Sequence, residues 1–154
     1  IVQQGVFELG TRNYEAARDF FKTAYELDTN NSQARELYVT SLFLNDEVEA
    51  ATAFFEDDEA FTRQFALNDF SVNAVREAGE TEFLAELYEV RVEAQPEVPQ
   101  NWASLAYLYY ELDDNERAIA VLEESQEALP DFASTAQCFA DNIEAGNEPG
   151  EGCQ

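Results

Sequence analysis

The sequence predicts an all-α fold of stacked antiparallel helical hairpins. Three observations predict it: amphipathic runs at helical spacing, polar turns at regular intervals, and a constant internal period. Tyr14, Val48, Thr81 and Asn115 hold aligned positions 34, 33 and 34 residues apart. Three residues after each stands Ala17, Ala51, Leu84 or Ala118, where a small side chain lets two helices approach closely. One turn further on, Phe21, Phe55, Tyr88 and Leu122 fill the intervening groove.

The elements follow in order. The first helix opens with Ile1, Val2, Val6, Phe7 and Leu9, more apolar faces than one neighbouring helix covers. "NYEAARDFFKTAYELDTNN" (13–31) completes the first hairpin, and "DEVEAATAFFEDD" (46–58) repeats its arrangement. The following "DDEAFTRQFAL" (57–67) does not fit the period, but Phe61 and Phe65 predict an ordered, packed connection. "ETEFLAELYEVRVEAQPE" (80–97) is a looser copy. "NWASLAYLYYELDDNERAIAVLEESQEALP" (101–130) reads as two amphipathic helices joined at Asp113-Asp114-Asn115. A further helix is expected after Pro130, capped by Asp131, with Phe132, Ala136, Phe139 and Ile143 on one face and Gly146 as its stop. It reads as the solvating cap of the array.

The last hairpin carries Trp102, Leu105, Ala106, Tyr109, Ala118, Leu122 and Pro130, and the first carries Gly5, Tyr14, Ala17, Phe21 and Ala24. On these residues the chain resembles the tetratricopeptide repeat family, with Ala106 in place of the usual glycine and Thr29 where proline is typical. The resemblance covers about residues 1–131 and implies a right-handed superhelical array, an α-solenoid, with repeats at about 1–31, 32–64, 65–97 and 98–131. Residues 132–154 form the cap helix and its tail. The resemblance also implies a concave face that grips a peptide, which maps here to Glu36, Thr40, Phe43, Asn73, Arg76, Tyr107 and Tyr110. This set lacks the lysine and arginine cluster with which some members clamp a terminal carboxylate.

Thirty-three acidic residues against 8 basic ones leave a formal charge of −25. That field disfavours nucleic acid and an anionic membrane surface; basic partners, divalent cations or a salty medium suit it better. No run is apolar enough to span a bilayer. With no methionine and a start at Ile1, the chain reads as a processed or excised segment.

Catalysis finds little support. Histidine is absent, and no nucleophile elbow, phosphate loop, zinc spacing or calcium loop is present. The acidic runs at 56–59 and 113–116 fall at turns, where they suit helix capping better than a metal. No enzyme activity, cofactor or metal is expected.

Cys138 and Cys153 both lie near the end, the second in the turn-rich "GNEPGEGCQ". A bridge between them would staple the tail and place the protein in an oxidising, extracytoplasmic compartment, secreted or at the cell surface. A buried Cys138 with an incidental Cys153, or a bridge between subunits, are the alternatives. Asn30-Asn31-Ser32 is an N-glycosylation sequon in a turn, and an Asn-rich turn reads the same way.

The expected function is protein–protein contact. Its sharper form is head-to-tail self-assembly into a filament, with Ile1, Val2, Val6 and Leu9 of one copy stacking on Phe132, Phe139 and Ile143 of the next. The alternative is a monomeric adaptor that binds a partner peptide on the concave face.

Overall fold

Turn chemistry sets the layout. In the computed structural model, which describes residues 1–154, a left-handed residue recurs at Arg12 (φ 59°), Asp46 (59°), Gly79 (76°), Asp113 (58°) and Gly146 (76°). Each follows a helix end in a conformation that glycine and aspartate tolerate best. These positions keep the period read from the sequence and extend it by one more step, to Gly146.

Ten α-helices and two short 3-10 turns make up two compact units, Ile1–Glu80 and Thr81–Gln154. The all-helical, sequentially packed fold expected from the sequence is the one observed, and it has the hairpin construction of a tetratricopeptide solenoid.

In the first unit, α1 (Val2–Gly10) and α2 (Tyr14–Leu27) form a hairpin. Gly5 lets the two helices close on the fully buried Phe21 ring. At the centre, α3 (Ser32–Leu44) receives α2, α4 (Val48–Thr52) and α6 (Asp69–Glu77), burying Ala34, Val39, Leu42 and Phe43. Asn31 caps α3 by accepting from the Ala34 N–H at 3.0 Å.

The second hairpin departs from the first. Its α4 gives way to a 3-10 turn at Ala53–Phe55, and the chain inserts an additional helix, α5 (Glu59–Ala66). This is the ordered connection that Phe61 and Phe65 predicted: Phe55 packs 5.1 Å from Phe61 and 4.9 Å from Phe65 between ring centres. Arg35 anchors it. Its guanidinium donates to Asp58 at 2.7 Å and to the Phe54 carbonyl at 2.9 Å, and lies 4.0 Å over the Phe61 ring. The expected repeat boundary at 64 and 65 therefore lies inside α5.

The second unit is a run of four helices, α7 (Thr81–Ala94), α8 (Pro99–Glu111), α9 (Asn115–Ala128) and α10 (Ala133–Glu144). Short connections make consecutive members antiparallel, so α7 and α9 run the same way on either side of α8. The core holds Leu84, Leu87, Trp102, Leu105, Tyr109, Ala118 and Leu122. Pro99 starts α8 at a first-turn position that needs no N–H, and Asp114 caps α9 by accepting from the Arg117 N–H at 3.0 Å.

Two details of the C-terminal helix differ from expectation. Pro130–Phe132 forms a 3-10 turn, so α10 starts at Ala133 without a side-chain cap, and Asp131 caps nothing. Its buried stripe is Ala136, Ala140 and Ile143, spaced to face α9, while Phe132 and Phe139 are half-buried. Gly146 ends the helix as expected.

Candidate interaction surfaces

Four surfaces bear on function, and the first is the outer side of α1. Gly5 faces inward on α2, which turns the flanking apolar side chains outward. Phe7 is 68% exposed, Val6 51% and Ile1 49%, with Val2 and Leu9 half-buried on the stripe that Val6 shares at helical spacing. Leu9 turns toward the cleft that Phe70 and Asn73 line on α6, while Val6 and Phe7 remain more than half exposed.

At the opposite terminus the tail folds back on α10. Cys138 and Cys153 are joined, their Cα atoms 5.9 Å apart. Asn142 donates to the Pro149 carbonyl at 2.9 Å and the Glu151 carbonyl at 2.8 Å, and Thr135 donates to the Gln154 carbonyl at 2.8 Å. The bridge is within the chain, and residues 149–154 occupy the stripe of Thr135, Cys138 and Asn142. Ile143, expected at a subunit contact, is instead core at 2% exposure because it packs with α9.

The residues expected on the concave face separate. Glu36, Thr40 and Phe43 are buried, so none presents a binding surface. Glu36 and Thr40 belong to a polar seam: Ser71 donates to one Glu36 oxygen at 3.0 Å and Gln64 to the other at 2.6 Å, while the Thr40 and Ser71 hydroxyls lie 3.0 Å apart. Helical spacing put them on one face; the packing of α6 and α5 on α3 closed that face.

Asn73 and Arg76 are exposed on α6. Asn73 lines a cleft of about 250 Å³ with Leu9, Arg12, Tyr14, Leu44, Phe70 and Glu77. Sequence reasoning missed Phe70, which is 49% exposed; an apolar residue just inside a helix N-terminus gave no signal beyond its type. Tyr107 and Tyr110 lie in the second unit and pack edge to face, 6.0 Å apart. The nearby Glu148 carboxylate raises the Tyr107 hydroxyl above its ordinary value.

A second cleft was not foreseen. It measures about 660 Å³ and runs over α8 between α7 and α9. Trp102, Leu105 and Tyr109 form its floor, Val92 and Val121 its walls, and Glu89, Glu93, Glu124 and Glu127 its banks. Trp102 is fixed by donating to the Pro96 carbonyl at 2.8 Å, and Tyr109 by a short hydrogen bond to the Glu89 carboxylate. Burial, reinforced by that carboxylate, pushes the Tyr109 hydroxyl up to about 12.

The floor residues are those that carried the family resemblance, and the tetratricopeptide repeat family model matches residues 99–132. The chain carries a tetratricopeptide repeat. The match spans α8, α9 and the 3-10 turn that follows. Inside it, the tetratricopeptide signature is a packing signature: Trp102, Leu105, Ala106, Tyr109, Ala118 and Leu122 are all at most 4% exposed. No curated protein matches the chain. The tetratricopeptide repeat points to a role in protein–protein interaction, since such hairpins present surfaces rather than reactive groups. No group of three or more acidic or cysteine side chains is placed to hold a metal ion, and no helix is long and apolar enough to cross a membrane. Asn30 is exposed in the turn between α2 and α3, its N–H donating to Asp28 at 3.1 Å.

Proposed function

We propose that this tetratricopeptide repeat protein is a non-catalytic, extracytoplasmic interaction protein whose copies associate head to tail through α1. One observation carries the reading: Val6 and Phe7 of α1 are more than half exposed, and Ile1 at its N-cap is 49% exposed, while Gly5 packs inward on Phe21. An apolar face of this kind is stabilised when another protein surface removes it from water. The receiving surface is the half-buried pair Phe132 and Phe139 beside the folded tail, with Ile143 excluded. A contact between unlike ends does not close on itself, so it propagates as a filament. Support for the compartment comes from the Cys138–Cys153 bridge, and glycosylation of the exposed Asn30 belongs to the same reading.

Negative-stain microscopy and light scattering of the oxidised protein test it. Filaments or concentration-dependent oligomers are expected from the native chain and none from Val2→Asp/Val6→Asp. Oligomers that survive this double substitution remove α1 from the contact.

The cleft at Asn73 supports a second reading, an adaptor that takes a peptide on α6. Phe70→Ala would then abolish recovery of peptides panned against the native chain, with oligomeric state unchanged.

A further inference from the structure

The cleft over α8 has a composition that specifies its occupant. Its floor and walls are apolar, and its banks are carboxylates set one helical turn apart: Glu89 and Glu93 on α7, Glu124 and Glu127 on α9. One cation adjoins it: the Arg117 guanidinium stacks 4.3 Å over the Tyr109 ring, against the four bank carboxylates. In contrast, the cleft at Asn73 is lined by one cation, Arg12, and one carboxylate, Glu77, and has no net sign.

Helix polarity adds to the field. Because α7 and α9 run in the same direction, the Glu93 and Glu127 ends are both C-terminal, where unpaired carbonyls carry partial negative charge. Two rows of carboxylates and two helix C-termini thus flank one apolar trough.

We infer that this trough binds a basic amphipathic helix of a partner protein, its apolar stripe on Val92, Pro96, Val121 and Ala128 above the buried floor and its lysines or arginines on the two glutamate banks. A single apolar stripe bordered on both sides by cations is the surface complementary to this trough. The cleft follows α7 from Glu89 and α9 from Val121 to their C-terminal ends, about 8–10 Å on each side, enough to seat about two turns of a ligand helix. Most of the encounter rate comes from the charges, and residence comes from the buried stripe. The inference rests on the interaction role of the repeat but not on self-association through α1.

Trp102 is the only tryptophan in the chain, so the site contains its own reporter. The probe is a leucine–lysine peptide of about 18 residues, long enough to form a helix on binding, with leucines at helical spacing. A peptide of the same composition in scrambled order is the control. Anisotropy of the labelled peptide measures affinity, and Trp102 emission locates the contact.

The amphipathic peptide is expected to bind and shift Trp102 emission, while the scrambled one binds at least about tenfold more weakly and leaves the emission unchanged. Glu93→Lys/Glu124→Lys is expected to raise Kd by about tenfold or more. Glu26→Lys/Glu144→Lys, which changes net charge equally at exposed sites outside the trough, should alter Kd by no more than about twofold. Circular dichroism confirms that each variant is folded. Equal binding of the two peptides, equal effects of the two double variants, or an unmoved Trp102 signal overturns the inference. Light scattering of the same samples reads self-association separately, so the failure of one proposal is distinct from failure of the other.

Discussion

A Cβ atom at Gly5 would meet the Phe21 ring at 2.5 Å, closer than any real contact of that kind, so these two residues set the spacing of α1 and α2. Phe21 is fully buried and has nowhere to move. Gly5→Ala should gain about 1 kcal/mol of helix propensity but lose about 1–3 kcal/mol to overpacking. A net loss is expected by urea denaturation, and Gly5→Ala/Phe21→Leu should recover part of it. A stabilised single variant would show that the hairpin yields.

Arg35 joins three elements of the second hairpin through Asp58, the Phe54 carbonyl and the Phe61 face. Arg35→Ala should cost about 2 kcal/mol, since it leaves the connection without its charged donor. Arg35→Lys should recover only a minor part, because an ammonium cannot fork to two acceptors while stacking flat on a ring. The difference between the two variants, read from denaturation midpoints, checks this.

Asp58 and Asp114 are both held below the ordinary carboxylate range, first by the backbone N–H each one caps and then by an arginine. A folded value below the unfolded one of about 3.9 stabilises the fold above that pH. The contribution disappears as pH falls through the folded value. Asn caps nearly as well as Asp without titrating. Asp114→Asn should therefore show a flatter fall in stability than the native chain below about pH 4. Identical acid profiles for the two would contradict the capping role of this carboxylate.

The bridge of Cys138 with Cys153 spans 15 residues, a loop worth about 3 kcal/mol in the chain-entropy account. Glu148 and Glu151 are already exposed but tethered; reduction should free the tail so that a glutamate-specific protease cuts there faster while α7–α9 stay intact. Cleavage at the same rate in oxidised and reduced samples would mean that the hydrogen bonds of Asn142 and Thr135 hold the tail alone.

Much of this architecture was legible because periodicity reports on backbone geometry. The 33–34-residue alignment falls on the turns that the left-handed residues later mark, and Ala17, Ala51 and Ala118 are fully buried as their spacing implied. What spacing cannot report is which face receives a further neighbour. Phe43 and Ile143 sit at plausible surface registers, yet the chain around α5 covers one and α9 the other. The cleft over α8 was illegible for a related reason: Glu89, Glu93, Glu124 and Glu127 are ordinary solvent-face residues in sequence, and only the parallel course of α7 and α9 brings them to one trough. Asp131 failed as a cap because Pro130 starts a 3-10 turn that displaces the helix start by one residue.

The left-handed turns at Arg12, Asp46, Gly79, Asp113 and Gly146 also define where a gene for such a chain can be cut. A segment excised or duplicated between any two of them rejoins a helix end to a helix start through a turn of the same hand. Recombination in phase with these sites would therefore lengthen or shorten the array by whole hairpins without inventing a new reversal of the chain. Length then becomes a trait that varies in steps, whereas a helix out of phase with these sites, such as α5, needs its own anchors, as Arg35, Phe61 and Phe65 provide here.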